Sequence, residues 1–419
     1  MNSYLEPSHQ ILSSIFKEKS YSTIALSKQV PNDAVTKIVY GVLERNTELD
    51  FIIKSLCDKK PQLSIEIVLK IAIYCLLYMD VLPDYAVVNE TVELTKKLGK
   101  REVSGFVNAV LKKVCRREYK LPTQGEKGYL SIKNSKPQWF VDKLISQFGL
   151  DTAKSILEEP IFEKEHIRVN TKLTTLAVIK ATLKAQGIDV EQSAAGGLIV
   201  RNTAEVKEMF NTGLVTYQSP SSMLAVKALG VTNGATVLDI CAAPGGKSVL
   251  IAEQNPNTKV VACDLYPHRV ELIASYKNRM NVKNVEEQKA DATKFIPDFE
   301  NAFDFVLVDA PCSCFGTFRK HQDVFMQHSL SSIHEMSKLQ STILENAKRY
   351  VKPDGILLYS TCTLFDEENK TVVSKFLKAN SNFKLEKMNI PYENNGTLSL
   401  LPKEEWDGFY IARMRKNND

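Results

Sequence analysis

The sequence predicts a multidomain protein in three parts: an all-α bundle over residues 1–125, a small α+β unit over 126–220, and an α/β Rossmann-like domain over 221–419. Three observations predict it. Apolar residues recur at three- and four-residue spacing along the first part. A stretch bearing Pro122, Gly125 and Gly128 then interrupts that pattern. Beyond residue 220, short apolar runs alternate with helix-sized segments, as in a parallel sheet. A chain of 419 residues, 44% hydrophobic and 25% charged, has material for two or three domains with cores of their own. That composition excludes a disordered or low-complexity chain.

In the first part, Ile11 and Ile15, Ile38 and Val42, and Leu69, Ile73, Leu76 and Leu77 fall on helical faces. Pro31-Asn32-Asp33, Pro61, Pro83-Asp84 and Gly99 separate the helices, with Asn32 or Asp33 as an N-cap. Segment 103–114 places Phe106, Val110 and Val114 on one stripe. In the second part, 139–148 suits a helix, 166–170 a strand, 175–186 a helix ended by Gly187, and 198–200 a short strand. In the third, strands are expected at 236–241, 260–264, 285–289, 303–309 and 356–361. Their apolar runs lack alternation, which fits strands covered on both faces. Segment 408–415 suits an antiparallel edge strand.

The net charge of +5 comes from one place. Residues 112–136 hold eight basic side chains (Lys112, Lys113, Arg116, Arg117, Lys120, Lys127, Lys133, Lys136) against Glu118 and Glu126. The flanking regions are nearly balanced. Such a stretch is either a solvated linker or a phosphate-contacting segment. No apolar run reaches the ~20 residues of a membrane span; the best, 65–79, is broken by Glu66, Lys70 and Tyr74. The amino-terminal residues lack the order of a signal peptide. Eight cysteines without a CxxC pair predict a reduced, cytoplasmic compartment and no metal. Cys57, Cys75, Cys115 and Cys263 read as small hydrophobes.

Chemistry concentrates at strand ends. Thr236-Val-Leu-Asp-Ile-Cys-Ala-Ala-Pro-Gly-Gly-Lys-Ser248 is a strand, a glycine-bearing turn and a helix start. A phosphate-cradling P-loop requires a glycine where Cys241 stands, and a dinucleotide fingerprint requires the spacing GxGxxG, in place of which this loop has Ala242-Ala243-Pro244. A site for S-adenosylmethionine (SAM) uses the same crevice without that spacing. Asp264 would then accept from ribose hydroxyls and Asp291 from the adenine amino group. Both acids also read as helix caps.

Asp309-Ala-Pro-Cys-Ser313 and Ser360-Thr-Cys-Thr363 end two further strands. Beside a SAM crevice, such thiols suit methylation of cytosine C5. That carbon is a poor nucleophile until a thiolate adds to C6 and converts the ring to an enamine. Asp309 would hold the N3 and N4 edge, and the target base must leave the stack.

Val237-Leu-Asp-Ile-Cys-Ala-Ala-Pro-Gly-Gly-Lys247, Asp309-Ala-Pro-Cys-Ser313 and Thr361-Cys362 together resemble the RNA 5-methylcytosine methyltransferases of the NOP2/NSUN/Fmu family. His166-Ile-Arg-Val-Asn170 and Trp406-Asp-Gly-Phe-Tyr410 are similar to two further segments of it. Tyr40-Gly-Val-Leu-Glu-Arg45, Leu82-Pro-Asp-Tyr-Ala-Val-Val-Asn-Glu90 and Phe106-Val-Asn-Ala-Val-Leu111 resemble a NusB-like RNA-binding helical domain. The resemblance implies a class I methyltransferase domain, an RRM-like small unit and a NusB-like bundle. It implies Cys362 as nucleophile, Cys312 as an aid to product release, and Lys247 close to the catalytic centre. Cofactor contacts would fall on Cys241, Ala242, Ala243, Pro244, Gly245, Gly246, Lys247, Asp264, Asp291 and Asp309. It further implies SAM as cofactor and small-subunit (16S) rRNA as partner, with no membrane, no metal and a monomeric chain. The alternatives are a different RNA, such as tRNA, and a non-catalytic RNA-binding assembly factor. The chain departs from the family where Cys314-Phe315-Gly316 replaces Gly-Thr-Gly, and where Gln322 replaces a proline.

Overall fold

The computed structural model describes residues 4–28, 30, 32–79, 83–201 and 203–418; Pro31 and Leu82 lie outside them. The chain divides into two compact units, Met1–Glu158 with His321–Leu330, and Glu159–Lys320 with Ser331–Asp419. This differs from the expected boundaries at 125 and 220, and the cause is local packing. The helices after residue 128 belong with the bundle: Ser135 Oγ accepts from the Glu48 backbone N–H at 3.1 Å. The strands between 165 and 217 belong with the second unit, tied by a buried Arg168–Glu253 pair.

The first unit contains α1 (Leu5–Glu18), α2 (Ser22–Ser27), α3 (Asp33–Glu44), α4 (Asn46–Leu56), α5 (Leu63–Tyr78), α6 (Asp84–Lys97), α7 (Ser104–Cys115), α8 (Tyr129–Lys133), α9 (Gln138–Phe148) and α10 (Leu150–Glu158). Helix α5 is apolar around its circumference because the bundle surrounds it. Its Lys70 is 1% exposed. Asp50 at 2.7 Å and Glu66 at 3.0 Å neutralise the ammonium, and Asn46 Oδ1 accepts from it at 2.7 Å. Asn32 caps α3, accepting from Ala34 N and Val35 N. On α7 the buried stripe is Val107, Val110, Leu111 and Val114; Phe106, expected on it, lies one position outside and is 40% exposed. Residues 321–330 pack within this unit: Asp323 accepts from Ser22 N at 2.8 Å and Gln322 from Lys136 Nζ at 2.8 Å. Seven of the eight basic side chains of 112–136 are exposed, whereas Lys136 is buried and burial lowers its ammonium pKa to about 8. Lys136 therefore leaves the candidate phosphate-contacting set.

The second unit opens with β1 (Glu165–Val169), α11 (Leu176–Ala185), β2 (Val190–Gln192), β3 (Leu198–Val200), α12 (Ala204–Asn211) and β4 (Val215–Tyr217). The sheet order β2-β3-β1-β4 is antiparallel throughout, a split βαβ arrangement with the RRM-like topology expected. There follow α13 (Pro220–Leu229), β5 (Thr236–Asp239), α14 (Gly246–Gln254), β6 (Lys259–Asp264), α15 (Pro267–Arg279), β7 (Val285–Lys289), β8 (Phe303–Asp309), the turn α16 (Val324–Gln327) already placed in the first unit, α17 (Leu330–Tyr350), β9 (Val351–Thr361), α18 (Lys370–Ala379), β10 (Phe383–Leu385), β11 (Thr397–Leu400) and β12 (Phe409–Lys416). The large sheet runs β10-β12-β9-β8-β5-β6-β7, with β11 on β12. Strands β9, β8, β5, β6 and β7 are parallel. Strand β12 is antiparallel but not an edge, because β9 takes one side of it while β10 and β11 take the other.

Candidate active site

Connections from β5 run outward to β6 and β7, and those from β8 run the other way to β9. The strand order reverses between β5 and β8, and the carboxyl ends of these two strands open a crevice. The turn after β5 is folded on itself. Ala242 N donates to Cys263 O and Gly245 N to Ala242 O, both at 2.8 Å, and the Ala243–Pro244 bond is cis. Gly245 precedes α14 with φ +108°, and a Cβ there would stand 3.3 Å from Ile273 Cα. The positive φ favours glycine, and the close approach leaves a Cβ little room.

Four carboxylates line the successive strand ends. Asp239 ends β5; its Oδ2 accepts from Ser248 Oγ at 2.6 Å, while its buried Oδ1 has no hydrogen-bond partner. Burial raises this carboxyl to about 7. Asp264 ends β6, accepts from Ala243 N at 3.3 Å and pairs with Arg269 at 3.4 Å. Asp291 follows β7, where Thr293 Oγ1 donates to it at 2.6 Å and holds its pKa down. Thr293 N also donates to it at 3.0 Å and closes a turn; no helix starts there, so the expected helix-cap role is not observed, and its carboxylate stays partly exposed. Asp309 ends β8, with Lys247 Nζ at 2.5 Å on Oδ2 and Ser360 Oγ at 2.7 Å on Oδ1. Burial works against the Lys247 charge, but Asp309's charge and hydrogen bond prevail and raise its pKa. The half-buried Cys241 thiol is pushed up by burial and by these carboxylates.

This array tests the cofactor. Four acids repel a pyrophosphate, which disfavours both nucleotide-loop readings. They suit a ligand rich in donors and positive charge. SAM carries ribose hydroxyls, an adenine amino group, an ammonium and a sulfonium, and the free Asp239 oxygen is an acceptor still to be satisfied.

The second wall carries the thiols. Cys312 Sγ lies 3.3 Å from Cys362 Sγ and 3.9 Å from Cys314 Sγ. The hydrogen bond with Cys312 raises the Cys362 pKa, with burial and Asp309 adding to it. The two loops are held by groups that sequence reasoning misses. Glu368 accepts from Ser313 N at 2.9 Å, from the Ser313 hydroxyl, from Gln340 Nε2 at 2.9 Å and from Thr363 Oγ1 at 3.2 Å. Burial raises its own pKa. Gly316 N donates to Cys362 O, and Gly408 N to Gly316 O, each at 2.9 Å. A Cβ on Gly316 would stand 2.1 Å from Gly408 O and 2.7 Å from Cys362 O. Asp239 lies inside a motif that assigns it no role; Glu368 has no motif to mark it.

A switch-point sheet with this acid-lined crevice defines a Rossmann-like methyltransferase domain, and SAM is its cofactor. Comparison with known proteins agrees. The family model "16S rRNA methyltransferase RsmB/F" matches residues 226–415 and that of the NusB family matches 6–116. The chain is similar to the probable ribosomal RNA small subunit methyltransferase B of Bacillus subtilis, with 31% identity over 96% of each chain. It is similar also to ribosomal RNA small subunit methyltransferase B of Pasteurella multocida, at 32% over 91% of this chain and 87% of that one. The crystal structure of PH0851 superposes with a TM-score of 0.84 and 27% identity, covering 99% of this chain and 98% of that one. The chain belongs to the RsmB family of ribosomal RNA small subunit methyltransferases.

Proposed function

We propose that this protein methylates C5 of a cytosine in small-subunit (16S) rRNA through a covalent Cys362–C6 adduct, acting in the cytoplasm. The observation that carries the reading is the Cys312–Cys362 thiol pair, 3.3 Å apart, on the wall facing an acid-lined cofactor crevice. The turn from Cys241 to Lys247, together with Asp264, Asp291 and Asp309, would hold SAM, which supplies an electrophilic methyl group when bound. Cys362 rests as a thiol and must lose its proton before it attacks. The Lys247 ammonium, which interacts with the Cys362 charge, favours the thiolate. Asp309, clamped by Lys247 and Ser360, accepts from the cytosine N4 amino group. The thiolate adds to C6 and pushes an electron pair to C5. That carbon would then attack the SAM methyl carbon as the methyl–sulfur bond breaks, with S-adenosylhomocysteine as the leaving group. A base removes the C5 proton, the C5–C6 double bond re-forms, and the Cys362–C6 bond breaks with the help of Cys312. The exposed basic side chains of 112–133 would contact phosphates.

The test is methyl transfer to undermodified small-subunit rRNA, with the product mapped as 5-methylcytosine and tRNA as a control. Cys362→Ala should abolish transfer, and Cys312→Ala should accumulate a covalent protein–RNA adduct. An active Cys362→Ala, or clean turnover by Cys312→Ala, would overturn the assignments.

A further inference from the structure

The third thiol of the cluster has no part in the proposed reaction. Cys314 adopts φ 56° and ψ 17°, the left-handed region. There a side chain costs about 1–2 kcal/mol that glycine avoids. The strained position nevertheless carries a thiol, and that thiol meets the other two. The Sγ atoms of Cys312, Cys314 and Cys362 all lie within 4.8 Å of one another, with two separations of 3.3 and 3.9 Å. Three sulfurs around a tetrahedral ion with bonds of about 2.3 Å stand about 3.8 Å apart. Two sides of the triangle bracket that value and the third does not exceed 4.8 Å, the arrangement of one face of a thiolate-bound ion with a fourth position open. A disulfide needs only two of the three and gives Cys314 no such geometry.

We propose that Cys312, Cys314 and Cys362 bind one thiophilic divalent ion of the zinc or cadmium class, and that the bound ion silences the enzyme. Three sulfur–metal bonds replace three S–H bonds, and the protons pass to water. No oxidant is required, and a chelator reverses the process. Binding stands on the geometry alone; inhibition rests on the reading of Cys362 as nucleophile.

The experiment titrates the reduced, metal-free full chain with cadmium and follows the thiolate-to-cadmium charge-transfer absorbance. One ion per chain is expected. Cys314→Gly, which relaxes the backbone, should weaken binding at least tenfold, equivalent to about 1.4 kcal/mol. Its methyl transfer without metal should match that of the parent protein. One equivalent of cadmium should stop the parent enzyme, with recovery on adding EDTA, and should spare Cys314→Gly. Unchanged cadmium affinity in Cys314→Gly overturns the site, as does inhibition that needs an oxidant and yields only to a thiol reductant. Active Cys362→Ala together with Cys314-dependent cadmium binding would leave the metal site standing and remove the nucleophile reading.

Discussion

The two walls of the crevice are built in opposite ways. The cofactor wall comes from one contiguous strand–turn–helix, with an acid at the end of each neighbouring strand. The thiol wall is assembled from loops around residues 312, 362 and 408, which are 46 or more positions apart in sequence and are locked by backbone contacts. The cofactor wall leaves acceptor capacity unused, at Asp239. The thiol wall pairs most of its polar groups internally, through Glu368, Ser313 and Thr363, and of the side chains joined to Glu368 only Gln340 leaves an atom unpaired, its oxygen. One wall is poised to receive a ligand; the other is fixed to place a sulfur.

The sharpest way to break this contrast is Gly316→Ala. The added carbon meets two carbonyl oxygens, one belonging to Cys362, so the loop must shift. A displacement near 1 Å at a reacting atom costs about 10²-fold in rate. Methyl transfer should fall by about that factor while the SAM Kd, measured by calorimetry, stays unchanged. A parallel loss of SAM affinity would show that the two walls are not separable.

Asp264→Ala probes the other wall and should act in the opposite sense. Removing an acceptor at the end of β6, where Ala243 N and Arg269 also bind, should raise the SAM Kd about tenfold, near 1.4 kcal/mol. With saturating SAM the rate should recover. A lowered rate at saturation would place Asp264 in the chemistry instead.

The same contrast explains what is legible in the sequence. Strands β7 and β8 match the expected bounds, and over 236–248 a strand, a turn and a helix start follow one another as expected. Both rest on local pattern or on contiguous residues. Glu368 and the Gly316–Gly408 contact depend on chain segments that meet only in the folded sheet, so no spacing reveals them. Strand β12 reads as an edge in the sequence because its neighbours β10 and β11, three and four residues long, leave no apolar pattern. Lys136 reads as a surface charge because composition cannot see that Gln322 and Phe325 enclose it.

A third effect, read in stability rather than in rate, tests whether the cofactor wall stores an unmet charge. Burial lifts the Asp239 carboxyl from 3.8 to about 7. The folded pKa lies above the unfolded one, so this residue's contribution is full below pH ~4 and is lost as pH rises through 7. A rise of that size corresponds to roughly 4 kcal/mol, less what the Ser248 hydrogen bond returns. Asp239→Asn removes the titration. Its Tm advantage over the parent chain should therefore grow between pH 4 and 7 and stay level above. Cationic SAM favours the ionised form, so the parent's SAM affinity should rise with pH near 7 while that of the variant stays flat. A Tm difference independent of pH would mean that Asp239 is ionised throughout, and the unused acceptor would then be ordinary solvation rather than a charge held for the ligand.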